Sequence, residues 1–247
     1  DFLLGIWIQM QETINSGLNK TGLLPGDLRV NRRANDLLNA TEDESEAYLE
    51  NRMVAAYAFA VNEENAAGGL VVTAPTCGAS GTLPAVLYYY YLRRNLSNQK
   101  IIEALATAGL IGNIIKHNAT ISGAVGGCQA EVGSACSMAA AAYSTFSNST
   151  IDQIEYAAEV AMEHHLGLTC DPIGGYVQIP CIERNAVAAI RAINASRIAR
   201  YLSGSRKISF DMIIKTMYQT GLDMHPKYKE TAEAGMAYFY NEHKINQ

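Results

Sequence analysis

The chain has 247 residues, of which 49% are hydrophobic and 17% are charged, so it can bury the core of one large domain. The formal net charge of -5 and the scattered Lys and Arg residues argue against a nucleic-acid-binding surface. The longest apolar run, residues 104–115, is too short and too often interrupted by Gly, Thr and Asn to span a membrane.

Apolar residues recur at helical spacing along most of the chain, which indicates a helical protein. In chain order, this spacing and the capping signals predict helices over about residues 3–17, 43–68, 84–91, 98–116, 130–143, 151–166, 182–201, 210–220 and 228–240. The β-favouring run from Leu70 to Val72 is too short to support a sheet. We therefore predict an all-α fold, with residues 1–247 forming a single large helical domain that carries Gly- and Pro-rich loops.

Five cysteines are present, an odd number, and they include no C-x-x-C pair. This usage argues against a disulfide framework, a zinc ribbon and a thioredoxin-type redox site. The N-terminal apolar stretch, residues 2–10, lacks the basic leader and the small-residue cleavage site of a signal peptide. We therefore expect a cytoplasmic protein, and because Asp1 is not an initiator Met, we expect the chain to be incomplete at its N-terminus.

Three of the cysteines lie in turns marked by Gly or Pro: Cys128 in V-G-G-C-Q, Cys170 in G-L-T-C-D-P-I-G-G, and Cys181 in Q-I-P-C-I-E. Cys128 and Cys181 each open a predicted helix, where the dipole of the helix N-terminus stabilises a thiolate. Three thiolates converging from separate loops suit an iron–sulfur cluster in which one iron has no protein ligand. Their wide spacing alone is weak support, and the shared turn setting carries the hypothesis.

The other two cysteines have simpler interpretations. Cys136 lies in the middle of a predicted helix among small residues and is expected to be a core residue. Cys77 has no His nearby in sequence to activate it as a nucleophile, so we expect it to lie beside the site without reacting.

The segment T-A-P-T-C-G-A-S-G, residues 73–81, is a candidate substrate-binding loop. Gly78 allows close approach of a ligand to the backbone, whose N–H groups could bind a carboxylate, and the Thr73 and Thr76 hydroxyls add donors. A tight turn leading into a helix, with its hydrogen bonds satisfied internally, explains the same residues without any ligand.

Long segments of this chain resemble the alpha, or catalytic, chain of the bacterial iron–sulfur L-serine dehydratases. The resemblance is carried by residues 24–34 (L-P-G-D-L-R-V-N-R-R-A), 73–81, 122–140 (S-G-A-V-G-G-C-Q-A-E-V-G-S-A-C-S-M-A-A) and 167–185 (G-L-T-C-D-P-I-G-G-Y-V-Q-I-P-C-I-E-R-N). It implies a 4Fe–4S cluster held by Cys128, Cys170 and Cys181, with the fourth iron binding L-serine. It also implies elimination of water from the substrate, giving pyruvate and ammonia.

Residues near the end of the 98–116 helix resemble positions of the same family: Lys116, Asn118, Ser122 and Gly123. A Lys with a depressed pKa could act as the base that removes the Cα proton, although an exposed lysine at a helix end is the commoner case. The base is therefore unassigned, with Lys116 as a candidate. Glu131 and Arg184 follow the first and third cysteines and could support the cluster or simply carry surface charge.

The resemblance further implies a missing beta or regulatory domain, and therefore a separate beta subunit and a homo- or hetero-oligomer. No pyridoxal phosphate signature stands out. Two alternatives remain open: a cluster-dependent L-cysteine desulfidase, in which sulfide leaves instead of hydroxide, and a non-catalytic subunit that carries a cluster.

Overall fold

The computed structural model describes residues 1–245 and confirms the predicted all-α fold. Within those residues the α-helices are α1 (Phe2–Leu18), α2 (Ala34–Asn39), α3 (Glu46–Ala66), α4 (Thr82–Arg93), α5 (Asn98–Asn118), α6 (Gly123–Gly126), α7 (Ser134–Phe146), α8 (Ile151–Glu163), α9 (Cys181–Leu202), α10 (Phe210–Asp223) and α11 (Gly235–Ile245). Strand-like pairing in the same residues is limited to two isolated bridges. None of the described helices is long and apolar enough to cross a membrane.

Helix α7 forms the centre of the fold and packs against α4, α5, α8 and α9. Its run of four alanines, residues 139–142, is fully buried, and these small side chains allow the neighbouring helices to approach closely. Two hydroxyl groups in this core are satisfied across helices. Ser137 donates to the carbonyl of Ala158 and Ser196 donates to the carbonyl of Ala140, both at 2.7 Å. Cys136 is buried here, as predicted for a core residue.

Two buried carboxylates near the C-terminal end of α3 fix the segment that precedes α2. Glu64 pairs with Arg32 at 2.9 Å and with Lys20 at 2.6 Å, while Glu63 accepts a hydrogen bond from the backbone N–H of Arg33 at 2.6 Å. The same segment also contacts the start of α9, where Arg33 pairs with Glu183 at 2.7 Å. Residues 24–34 therefore brace the loops that carry the cysteines.

Most predicted helices are confirmed within a few residues, and two differ at their start. A π-helical turn, Gln129–Gly133, replaces the start of the predicted 130–143 helix. The predicted 228–240 helix begins only at Gly235, because Glu230 and Ala232 adopt positive φ angles of 61° and 53° and Asp171 caps the new start. Residues 70–72 lie in irregular structure, in agreement with a run too short to support a sheet.

Candidate metal centre

Cys128 is held at the start of the π-helical turn by contacts with the chain around Leu168. Gly127, just before it, has φ +75°, and a Cβ there would lie 2.9 Å from the Leu168 carbonyl oxygen. The backbone N–H of Gln129 donates to that oxygen at 3.1 Å. The buried Gln129 side chain accepts from the N–H of Gly167 and donates to the Met217 carbonyl. Position 127, immediately before the cysteine, therefore requires glycine. The π-helical turn that follows is of a kind that occurs frequently at functional sites.

Cys170 is fixed by pairing with the segment between α10 and α11. Its backbone N–H donates to the carbonyl of Tyr228 at 2.8 Å, and its carbonyl accepts from the N–H of Glu230 at 2.7 Å. The next residue, Asp171, is buried, and its Oδ2 accepts from the N–H of Met236 in the first turn of α11 at 2.8 Å. The Cys170 loop thus connects the end of the chain to the site.

Cys181 is the first residue of α9 and follows Pro180, as the sequence pattern predicts. One turn later, Asn185 is fully buried and donates through Nδ2 to the carbonyls of Cys181 at 2.9 Å and of Gly78 at 2.7 Å. Its Oδ1 accepts from the backbone N–H groups of Gly81 and Thr82, both at 3.2 Å. A single amide side chain therefore fastens the 73–81 loop to the helix that presents the third cysteine.

These elements enclose one cavity of about 250 Å³. All three predicted cysteine ligands line it, together with three residues of the predicted substrate loop. The complete lining is Thr76, Cys77, Gly78, Cys128, Glu131, Cys170, Pro172, Val177, Cys181 and Glu230. The three ligand cysteines are buried, whereas Cys77 is exposed. The exposed residues of this lining are Cys77, Val177 and Glu230, so the cavity opens to solvent on their side.

The electrostatic environment divides the three thiols. A hydrogen bond from Cys170 lowers the pKa of Cys128, against the effect of burial, and the Arg184 guanidinium acts in the same direction. That same hydrogen bond, followed by burial, raises the pKa of Cys170. Burial raises the pKa of Cys181 to about 12. Without a metal, Cys128 is therefore the most readily ionised of the three thiols, while Cys170 and Cys181 favour their protonated forms.

Arg184 is held where it can act on this thiolate. Its Nη1 donates to the carbonyl of Thr169 at 2.5 Å, and its Nη2 lies 3.7 Å from Asp171 Oδ1. These contacts orient the guanidinium toward Cys128 from the side of the protein rather than from the cavity. The positive charge also suits a cluster whose thiolate and sulfide ligands carry negative charge.

Two carboxyl groups stand beside the cysteines. Glu131 Oε1 accepts from the Thr76 hydroxyl at 2.8 Å, and Glu131 Oε2 lies 3.8 Å from the Cys170 sulfur. The single thiol proton of Cys170 can serve either Glu131 or Cys128 at one time. Burial raises the pKa of Glu131, and the neighbouring charge of Glu230 acts in the same direction. Ligand atoms of Glu131, Cys170 and Glu230 all lie within 4.8 Å of one another.

The remaining sequence-predicted residues are placed as follows. Gly123 opens α6 and faces both carboxyl groups, since a Cβ there would lie 2.5 Å from Glu131 Oε2. Ser122 precedes it and donates its backbone N–H to the Thr120 hydroxyl at 3.1 Å. Thr73 is exposed at the start of its loop. Lys116 and Asn118 are exposed at the end of α5. The described residues that line the cavity do not include them.

Sequence reasoning missed Glu230 and left the role of Glu131 open. Glu230 has no local signal, because its place beside the cysteines depends on the pairing of its segment with Cys170. Glu131 carried one usable signal: it follows Cys128 by three residues, within the same turn. In the structure, that turn is π-helical and directs Glu131 into the cavity.

The donor set suits an iron–sulfur cluster. Three soft sulfur ligands from three separate loops meet in one buried cavity, which is the composition that such clusters prefer. Cysteines around a cubane bind different iron atoms, so they need not converge as tightly as the ligands of one ion. Within residues 1–245, one further cysteine, Cys77, lines the cavity. Cys77 is exposed, and this side of the cavity is left to a ligand.

Comparison with known proteins points to one family. A family model described as "Serine dehydratase alpha chain" matches residues 2–237. The chain is 52% identical over 237 residues to the L-serine dehydratase of Streptomyces coelicolor, covering 95% of this chain and 52% of that protein. It is 51% identical over 240 residues to the L-serine dehydratase of Haemophilus influenzae, covering 95% and 53%. With L-serine dehydratase 1 of Escherichia coli, identity is 48% over 242 residues, covering 96% and 53%. The chain thus spans about half the length of the curated relatives it matches.

Proposed function

The chain belongs to the serine dehydratase alpha-chain family, and we propose that it is the catalytic part of an iron–sulfur-dependent enzyme that converts L-serine to pyruvate and ammonia. The observation that carries this proposal is the meeting of Cys128, Cys170 and Cys181 in one buried cavity that the 73–81 loop also lines. The relatives bear the name L-serine dehydratase, but the chain spans only half their length, so the activity of the whole protein is inferred.

Cys128, Cys170 and Cys181 would hold a 4Fe–4S cluster and leave one iron without a protein ligand. When bound, that iron supplies a Lewis acid that polarises the serine hydroxyl and stabilises the departing hydroxide. Arg184 contributes a fixed positive charge beside the Cys128 thiolate. Asn185 keeps the Cys181 end of the site in register with the substrate loop.

The residues of the chain have three tasks in this reaction. They bind and orient the substrate, for which we propose the backbone of the 73–81 loop around Gly78 as the carboxylate site and Thr76 as an additional donor. They exclude water from the cavity. They also bring the Cα proton to a base, so that loss of water gives an enamine that tautomerises and hydrolyses to pyruvate and ammonia.

The base is the least constrained part of the proposal. Lys116 is a candidate only by family resemblance, because it lies among exposed residues at the end of α5. The same applies to Asn118 as a substrate-binding residue. Roles for both require that another part of the assembled protein cover this end of α5 and join it to the cavity.

We further propose that a separate beta subunit completes the protein and that the assembly is oligomeric and cytoplasmic. The description of the family as an alpha chain supports a second component. That component would have to leave the cavity accessible to a small amino acid near Cys77.

The test is turnover by the native assembly purified without oxygen. Pyruvate formation is measured with L-serine and with L-cysteine side by side, for the wild type, for Cys170→Ala and for Cys77→Ala as the matched cavity-lining control. We expect pyruvate from serine, lost with Cys170→Ala and retained with Cys77→Ala. Turnover of cysteine without turnover of serine would assign the chain to a desulfidase, and no turnover of either by an iron-loaded assembly would indicate a non-catalytic subunit.

A further inference from the structure

The carboxyl group of Glu131 links the substrate loop to a cysteine ligand. One of its oxygens accepts from the Thr76 hydroxyl at 2.8 Å, and the other lies 3.8 Å from the Cys170 sulfur. Any molecule that occupies this cavity between the loop and the cysteines therefore contacts Glu131. Because one oxygen is held by Thr76, the carboxyl group is already oriented before a ligand arrives.

Glu230 enters the same space from a different part of the chain. Its backbone N–H donates to the carbonyl of Cys170 at 2.7 Å, which fixes the position of the residue although its side chain is exposed. Its carboxyl group lies with that of Glu131 and the Cys170 sulfur in a group whose ligand atoms are within 4.8 Å of one another. Two acidic groups thus face one another at the mouth of the cavity.

Gly123 shows that the fold keeps space for both carboxyl groups. A Cβ at this position would lie 2.5 Å from Glu131 Oε2 and 2.8 Å from Glu230 Oε1. These are closer approaches than real Cβ atoms make, so any larger residue would displace the carboxyl groups. The glycine has an ordinary backbone conformation, so its role here is steric rather than conformational.

Neither carboxyl group has a cationic partner within the described residues 1–245. Among residues 1–245, no Lys, Arg or His nitrogen lies within 4.0 Å of Glu131 or Glu230, although nine such pairs occur elsewhere in that range. A half-buried carboxylate without a counter-charge is unfavourable, and a cationic ligand would relieve this cost. The cavity is therefore complementary to a small molecule that carries a positive charge.

We propose that Glu131, assisted by Glu230, binds the α-ammonium group of the amino-acid substrate. This inference rests on the proposed function and adds the recognition of one substrate group to it. In L-serine the ammonium and hydroxyl groups are on adjacent carbon atoms. The hydroxyl would be directed to the open iron of the cluster that Cys170 helps to hold, and the ammonium group on the next carbon atom would then lie near the carboxyl group of Glu131, 3.8 Å from the Cys170 sulfur. Recognition of the ammonium group selects α-amino acids against hydroxy acids of the same size.

The experiment compares two ligands that differ only in the ammonium group. With the native, cluster-loaded assembly kept free of oxygen, binding of L-serine is measured as its KM, because the assembly turns serine over, and binding of 3-hydroxypropanoate, which lacks the amine, as its inhibition constant against serine. Both constants are measured with the wild type, Glu131→Gln, Glu230→Gln and the exposed control Glu233→Gln. We expect Glu131→Gln to weaken serine binding by about tenfold or more and to change 3-hydroxypropanoate binding by less than about twofold. Glu230→Gln should show a smaller loss of the same kind, and Glu233→Gln none.

Several results would overturn the inference. Equal weakening of both ligands by Glu131→Gln would indicate a general structural role, and unchanged serine binding would remove Glu131 from recognition. Wild-type binding of serine no tighter than that of 3-hydroxypropanoate would exclude an ammonium site. A metal ion bound in addition to the cluster iron and lost in Glu131→Gln would identify the carboxyl pair as a metal site instead. In any of these cases, turnover of serine by the wild type would leave the proposed function intact. A wild type that does not turn serine over would contradict the proposed function, whatever the binding results.

Discussion

Asn185 and Gly78 are joined by a 2.7 Å hydrogen bond from the Asn185 amide to the Gly78 carbonyl, across a cavity wall between α9 and the substrate loop. The same side chain also holds the Cys181 carbonyl and the N–H groups at the start of α4. One buried amide therefore sets the distance between the proposed carboxylate site and a proposed cluster ligand. Few single side chains in the described part of the molecule connect so many backbone groups.

Replacing Asn185 with Ala should destabilise the protein and loosen the substrate loop. The change leaves the Gly81 and Thr82 N–H groups and the Gly78 carbonyl without their buried partner, which costs about 2–3 kcal/mol or more of unfolding free energy. Urea denaturation checks this. Asn194→Ala, an exposed position in the same helix, is the control and should change stability by less than about 0.5 kcal/mol. Equal stability of the two variants would show that the Asn185 contacts contribute little.

Substitution of Gly127 tests the turn that presents Cys128. Ala at this position must adopt φ +75° and bring its Cβ to 2.9 Å from the Leu168 carbonyl oxygen, so we expect a loss of about 1–3 kcal/mol. Gly109→Ala is the opposite control, because that residue lies in α5 with open space around it and should gain up to about 1 kcal/mol. Thermal or urea unfolding measures both. A neutral Gly127→Ala variant would contradict the requirement for glycine.

The buried His165 predicts a loss of stability in acid. Burial lowers the pKa of His165 to about 4, below the value of about 6.5 that an unfolded chain has. The unfolded state therefore binds the proton first, and stability present above pH 6.5 decreases as the pH falls toward 4. Between pH 7.5 and pH 5 this contributes about 2 kcal/mol.

Urea denaturation at these two pH values should show a smaller difference for His165→Gln than for the wild type. His117→Gln, at an exposed position in α5, should retain the wild-type difference. An unchanged pH dependence in His165→Gln would assign the acid sensitivity to other groups.

Metal uptake should release protons from the cysteine site. Cys170 and Cys181 have raised pKa values, so a metal that binds all three sulfurs displaces at least roughly two protons near neutral pH, and Cys128, whose pKa is lowered, releases its proton most easily. The affinity should therefore rise with pH. Anaerobic titration of metal-free protein with Cd²⁺, followed by thiolate–metal absorption and a pH indicator, measures both quantities. Cys77→Ala should behave as the wild type, while binding without proton release would contradict the assigned protonation states.

The sequence was sufficient to predict features that depend on local pattern. Helical spacing predicted the all-α fold, and the Gly or Pro residues before Cys128 and Cys181 predicted that these cysteines begin helical segments. Cys136 was correctly placed in the core because its neighbours in α7 are all small. In each case the residues within one or two turns determine the structure, so a single sequence contains the signal.

Features that depend on contacts between distant residues were not predictable in the same way. Glu230 reaches the cavity only because its segment pairs with Cys170, and α11 begins at Gly235 because Asp171 caps it from another loop. Helical spacing alone favoured an earlier start for α11, and tertiary hydrogen bonds override that preference.

Iron and acid-labile sulfide analysis of the native assembly, purified without oxygen, tests the central claim most directly. We predict about four iron and four sulfide per chain for the wild type, Cys77→Ala and Cys136→Ala. Each of the variants Cys128→Ala, Cys170→Ala and Cys181→Ala should lose most of both. A folded wild-type assembly without iron, or full iron content in any of those three variants, would contradict the claim that these cysteines hold the cluster.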